Sequence, residues 1–449
     1  MPDPLPTNPA RVGALSAHFR AENEGTIVIK GGRVVDATGE RDADVVTADG
    51  RIAAVGADLD GDRSLDAGGC VVAPGLVDLH AHLRQPGHEE AETIESGSRC
   101  AALGGFTAVV AMPNTTPAID SAAVVREVQE LGRNALCAVH PAGAITVGRA
   151  GAQLAPLAEM ADLGVRLFTD DGTGVQDDLL MRRAMEYCVG LPQPVVLAQH
   201  CENTALAAGG HMHEGEWSSR LGIAGQPHEA EEAMVARDIA LARLTGARIH
   251  MQHMSTAGSV ALIAEARASG LAVSAEATPH HMLLTHAECA TFDPVFKVNP
   301  PLRTEADVAA VCAGVVADTL DVIATDHAPH PADAKDEPFD LAPPGMLGLE
   351  FALGVALSVL DLPIAKVLAR LSWRPAAIVG MSDTQGGPVE VGRPANLCVI
   401  DPFATWTVEA GRTASRSRNV PYVGRTLKGQ VRHTIYQGEP VVIDGTAQR

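Results

Sequence analysis

The chain has 449 residues, of which 46% are hydrophobic, 20% charged and 3% aromatic. That is the composition of an enzyme-sized globular protein with one large domain and an accessory one. Thirty-four Lys and Arg against 55 Asp and Glu leave a formal charge of -21, so a nucleic-acid backbone or an anionic membrane would be repelled over most of the surface. The apolar runs, such as Ala352 to Leu360, are far shorter than the roughly 20 residues that cross a bilayer.

Residues 1–25 carry no basic-then-apolar core and no small-residue cleavage pattern. Their Pro, Asn and Glu content predicts a disordered tail on a cytoplasmic protein. Cys70, Cys100, Cys137, Cys188, Cys201, Cys289, Cys312 and Cys398 are dispersed without a CxxC pair, as reduced core thiols are. From Thr26, short β-branched runs broken by Gly and Asp-Gly predict small antiparallel strands. The same texture returns in NLCVIDPFATWTVEAG and LKGQVRHTIYQGEPVVIDG. The terminal segments 26–73 and 385–449 are therefore expected to pair into one composite β-sandwich domain.

Between them, over 74–384, eight strand-like runs alternate with helical stretches: GLVDLHAHLR, GFTAVVAMPN, ALCAVHPAGAIT, GVRLFTDDG, PVVLAQHCEN, RIHMQHMS, AVSAEATPHH and DVIATDHAPH. EAEEAMVARDIALARLTG, for example, has Ala, Glu and Arg at helical spacing and a Gly stop. Eight such units in about 310 residues fit a (β/α)8 TIM barrel better than an open doubly wound sheet.

A barrel carries its chemistry at the C-terminal ends of its strands, and the polar residues fall there. His80, His82 and Arg84 close the first unit, Asn114 the second, Asp170 and Asp171 the fourth, His200 the fifth, His253 the sixth, and Asp326 and His330 the eighth. Strand interiors read as otherwise Val, Ala, Leu and Ile. His80 and His82 are two apart, so both imidazoles project to one side of a strand. Alone, that pattern more often marks two hydrogen-bonded or exposed histidines than a metal pair. His200, His253 and Asp326 on later strands supply the imidazole and carboxylate ligands that zinc prefers. Arg84 follows on the same face, and a fixed planar cation there implies an anionic substrate, most simply a carboxylate held by a bidentate pair.

Taken together and in order, GLVDLHAHLRQPG, AMPNTTP, FTDDG, HCEN, HMSTAGS, TPHH, KVNPPLR, IATDHAPH and APPGMLGLE resemble the amidohydrolase superfamily and, within it, the bacterial dihydroorotases. The resemblance runs from about Thr26 to Gly438. It implies two zinc ions per chain, with His80, His82 and Asp326 as ligands of the first and His200 and His253 as ligands of the second. Many relatives bridge the ions with a carboxylated lysine, but no lysine lies between Lys30 and Lys297. The resemblance gives that place to Asp171 of FTDDG, with Asp170 as the adjacent alternative.

The resemblance also implies that Asp326 acts as general base and acid, and that Arg84, Asn114 and His330 bind a substrate carboxylate. His82 faces the substrate as well, Asn299 contacts the substrate ring, and Pro344 and Gly345 approach it through backbone. The implied reaction is the reversible cyclisation of N-carbamoyl-L-aspartate to L-dihydroorotate in pyrimidine synthesis. Alternatives are another cyclic-amide hydrolase of the allantoinase or hydantoinase type, or a scaffold subunit for aspartate transcarbamoylase. An active homo-oligomer that also docks transcarbamoylase is a further reading. His211 and His213 read as solvated loop residues, and His280 and His281 as residues that shape the barrel rim.

Overall fold

A computed structural model describes residues 25–449. The tail expected over 1–25 lies, but for Gly25, outside the described residues.

Each of the eight runs contains one strand of a parallel sheet: Leu76–Ala81, Phe106–Ala111, Ala138–Pro141, Leu167–Phe168, Val196–Gln199, Ile249–Met251, Val273–Ala277 and Val322–Ile323. The first three pair side by side, as do the last five. Parallel bridges join the two groups, Gly143 to Phe168 and Ala81 to His327, so the eight strands form a ring. The pleat sorts side chains by face. In the second strand Ala108 and Val110 join Val77, Leu79, Leu167, Ala198 and Val322 inside the ring. Val109 and Ala111, and Phe106 across the register shift that precedes Ala108, turn outward to meet helix residues such as Ile94, Val125, Met185, Val235 and Val311. Ala376, Val379 and Met381 pack against the inner cluster.

The helices start and stop where local chemistry dictates. Glu229–Thr245 has three glutamates in its first turn and Arg243 in its last, matching the helix dipole, and ends at Gly246 with φ 75°. The hydroxyl of Thr304 accepts from the Asp307 N–H to cap Glu305–Val316, and Asp307 returns the bond.

The terminal segments do pair. Leu397–Thr407 runs antiparallel to Val71–Pro74 and to Thr426–Tyr436 within a seven-stranded sheet. A four-stranded sheet holds Ile27–Lys30, Asp44–Ala48, Arg51–Gly56 and Arg63–Asp66. Ile29, Val45 and Ile52 of the smaller sheet share a buried cluster with Val72, Leu397 and Ile435 of the larger.

Candidate metal centre

The polar residues gather at the carboxyl ends of the ring strands. His80 lies on the first strand and His82 just past it, Asp171 three residues past the fourth, His200 directly after the fifth, His253 two past the sixth, and Asp326 three past the eighth. Arg84, His253 and Asp326 sit in the left-handed region, at φ 62°, 39° and 45°. Such conformations cost about 1–3 kcal/mol each and persist where surrounding structure enforces them.

Asp171 stands at the middle. Its Oδ1 lies 3.2 Å from Nε2 of His80, 3.8 Å from Nδ1 of His200 and 3.8 Å from Nε2 of His253, and its Oδ2 lies 3.5 Å from Nε2 of His82. Asp326 Oδ1 lies 3.0 Å from His82 Nε2 and 3.5 Å from His80 Nε2. His200 Nδ1 and His253 Nε2 face each other at 2.7 Å. All six side chains are buried, yet among the described residues His80 Nε2 and Asp171 Oδ1 have no hydrogen-bond partner.

Orphaned polar atoms at zero exposure are costly, and a divalent cation would satisfy both. The donor set also fits, because His80, His82 and Asp326 could hold one ion and His80, Asp171 and His253 could share another. Burial alone would raise the Asp171 and Asp326 carboxyls and lower His80. The juxtaposed charges win, holding both carboxyls well below the usual range and His80 above its own.

Asp170 and Asp171 now separate. Asp170 accepts from the backbone N–H groups of Ile145 and Thr146 at 2.8 and 3.0 Å and from the Thr146 hydroxyl. It pins the loop after the third strand, while Asp171 faces the histidines.

Of the expected substrate-binding residues, Asn114, Arg84 and His330 lie by His82, and Asn299 lies by His200. Asn114 Oδ1 lies 2.9 Å from His82 Nδ1. Arg84 donates Nε to the Pro329 carbonyl at 3.1 Å, and its Nη2 lies 3.4 Å from His330 Nε2. Among the described residues no carboxylate pairs with Arg84. Burial lowers its pKa to about 10, leaving it a cation. Burial and the Arg84 charge push His330 down to about 2, so it is neutral, and its Nε2 donates to the Pro344 carbonyl at 2.8 Å.

Asn299 donates Nδ2 to Glu202 at 2.7 Å, and its buried Oδ1 has no partner. Gly345 donates its N–H to Lys297 at 2.9 Å and its carbonyl accepts from Asn419 at 3.0 Å. Its backbone N–H is therefore already used, which leaves carbonyl lone pairs for any ligand contact at Pro344 and Gly345.

Two sequence readings need correction. His213 is not a solvated loop residue: it is buried in the short strand Met212–His213, 3.2 Å from Arg303 Nη1. His211 is half-buried beside Lys297, at 3.3 Å. Nor are the strand interiors free of charge. Asp78, His250 and Glu276 are buried within the first, sixth and seventh strands. An acid in the middle of an apolar run, as in AVSAEA, was the available signal for Glu276.

A further buried group, Glu92, Cys100 and His327, is internally satisfied. Glu92 accepts from Ser96, Ser415 and the Arg416 N–H, and His327 Nδ1 accepts from Gly348 and Leu349. His281 Nε2 donates to Pro300 at 3.0 Å, while among the described residues neither nitrogen of the buried His280 has a hydrogen-bond partner.

A ring of parallel β/α units with histidines and aspartates converging at the strand ends suits a metal-dependent hydrolase, and its relatives narrow that class to hydrolases of cyclic amides. Solved relatives agree: the L-hydantoinase (dihydropyrimidinase) from Arthrobacter aurescens superposes with TM-score 0.83 at 25% identity, over 94% of this chain and 97% of that one. The dihydropyrimidinase from Brevibacillus agri shares the fold, with TM-score 0.82 at 22% identity over 94% and 96% of the two chains. A family model described as dihydro-orotase-like matches residues 69–259. The dihydroorotase of Pelotomaculum thermopropionicum is 47% identical over 428 residues, 93% of this chain and 99% of that one. That of Mycobacterium tuberculosis is 47% identical over 422 residues, 91% and 96% of the two chains. The chain belongs to the dihydroorotase family.

Proposed function

We propose that this chain is a dihydroorotase that interconverts L-dihydroorotate and N-carbamoyl-L-aspartate in pyrimidine synthesis, working with two zinc ions. The observation that carries this reading is Arg84, a cation that has no carboxylate partner among the described residues and is set beside the histidine and aspartate cluster. A ring amide bearing a carboxylate satisfies both features at once. His80, His82 and Asp326 would hold one ion, His200 and His253 the other, with Asp171 between them.

When bound, such an ion pair acidifies a water and polarises the carbonyl under attack. Asp326 accepts a proton as the new C–O bond forms at the ring carbonyl and returns it to the ring nitrogen as the C–N bond breaks. Ring closure is the reverse. Arg84 offers its fork to the substrate carboxylate, with Asn114 and His330 beside it and His82 facing the ring. The free Asn299 Oδ1 suits a ring N–H. Pro344 and Gly345 bound the pocket, where a side chain at 345 would collide with His330.

The ring reads as a (β/α)8 barrel over 74–384, with 26–73 and 385–449 as a composite β-sandwich. We read the enzyme as a cytoplasmic homo-oligomer, and sedimentation with and without aspartate transcarbamoylase tests its assembly. Comparison of L-dihydroorotate with dihydrouracil, the same ring without the carboxylate, tests the function. Preference for dihydroorotate by 100-fold or more is expected, from about 3 kcal/mol for a charge-assisted contact. Equal turnover of both would transfer the chain to the hydantoinase reading.

A further inference from the structure

Beyond the ligands themselves, one carboxylate touches both halves of the cluster. Glu276, on the seventh ring strand, is completely buried. Its Oε1 accepts from Nδ1 of His80 at 2.7 Å and from the backbone N–H of His253 at 3.0 Å. Its Oε2 lies 2.9 Å from Nε2 of His250, whose Nδ1 lies 2.9 Å from the Ser274 hydroxyl. A chain of bonds thus runs from Ser274 through His250 and Glu276 to His80, across the sixth, seventh and first strands. On the ligand roles given above His80 serves one ion and His253 the other, and Glu276 holds the ring of the first and the backbone of the second.

We propose that Glu276 is a positioning residue that couples the two metal sites, fixing the tautomer and ring direction of His80 and the strained backbone of His253 with one side chain. The inference rests on the ligand roles given above to His80 and His253. The geometry gives each contact a purpose. With the proton of His80 kept on Nδ1 by Glu276, its Nε2 lone pair would be free to bind an ion set between it and Asp171. At His253, where φ is 39°, the bond to Glu276 secures a backbone conformation that a non-glycine residue otherwise avoids. His250 and Ser274 in turn hold the carboxylate so that it cannot rotate away.

Loss of Glu276 is therefore expected to loosen both ions, where loss of an ordinary ligand neighbour would loosen one. The test uses the full-length chain, stripped and reloaded with cobalt(II), in wild type, Glu276→Gln and Glu276→Ala. The readouts are cobalt per chain, the affinity of each site, the visible ligand-field spectrum, and circular dichroism to confirm folding.

Neighbours of this kind change metal affinity by about 10- to 100-fold. That loss is expected at both sites in Glu276→Ala, with a shifted spectrum. Glu276→Gln, which keeps an oxygen acceptor for His80 and His253, should lose less. If Glu276→Ala does not fold, Glu276→Gln carries the test, with weaker binding at both sites and an altered spectrum expected. Unchanged affinity and spectrum in a folded variant overturn the inference, and so does weakening confined to one site. Wild-type chain that takes up no cobalt overturns the ligand assignment itself.

Discussion

Gly345→Ala puts a methyl group where the structure has no room. Gly345 has φ 150°, and an added Cβ would lie 2.7 Å from Nε2 and 2.8 Å from Cδ2 of His330, and 2.9 Å from the Ala328 Cβ. Ordinary contacts need about 3.5 Å or more, so the imidazole must retreat by roughly 0.7 Å. Its 2.8 Å bond to the Pro344 carbonyl then reaches about 3.5 Å, the limit of a hydrogen bond. His330 leaves the side of Arg84, and the guanidinium it flanks loses its setting for a charge-assisted contact to the substrate carboxylate worth about 1.5–3 kcal/mol. That is roughly a 10- to 150-fold fall in kcat/KM, carried mainly by KM because no proton-transfer group moves. Backbone strain of about 1–3 kcal/mol should also lower Tm. Metal content should not change, since no proposed ligand touches Gly345. Steady-state kinetics on metal-quantified enzyme decides the matter. A kcat/KM within twofold of wild type would refute the placement of His330 beside the substrate.

Other perturbations separate the roles assigned to neighbouring groups. Arg84→Ala should raise KM by about 30-fold or more, from at least 2 kcal/mol lost with a desolvated charge contact, at unchanged metal content. An unaltered KM would move the anion site elsewhere. Asp171→Ala should bind fewer than two ions while staying folded, whereas Asp170→Ala should keep both ions and lose about 1–3 kcal/mol of stability through its freed backbone donors. The opposite pattern would reverse the assignment.

His228 and Asp307, 2.9 Å apart, tie stability to pH. The bond to Asp307 raises His228, while Asp307 is lowered by His228 and Thr304 against the opposing effect of burial. The histidine contribution is whole below about pH 6.5 and is lost as pH rises through its raised value. The aspartate contribution is whole above about pH 4 and is lost in stronger acid. His228→Gln should therefore be most destabilised, relative to wild type, near pH 5 and least near pH 9. A deficit that grows with pH would show that the pair does not act this way.

How much of this was legible in the sequence depended on the range of the signal. His80, His82, His200, His253 and Asp326 stood out because each interrupts or ends an apolar run, a pattern visible within ten residues. The terminal β segments were legible for the same local reason, and shared texture was the ground for expecting them to pair, whereas the antiparallel direction of Leu397–Thr407 against Val71–Pro74 is visible only in the fold.

Choosing between Asp170 and Asp171 needed a fact about Ile145 and Thr146, some 25 residues upstream, whose N–H groups claim one of the two carboxylates. Glu276 was passed over because its partners, His80 and His250, lie on other strands and meet it only when the ring closes. His213 looked solvated among glycines and charges, and became buried only through Arg303, 90 positions further on.

The most direct test is turnover of L-dihydroorotate by the purified chain, followed by ultraviolet absorbance, with zinc measured on the same sample before and after chelation. Turnover that falls with zinc content and returns on reloading is the expected result. Full activity in chain stripped of metal, or none in chain carrying two zinc ions per molecule, would contradict the account.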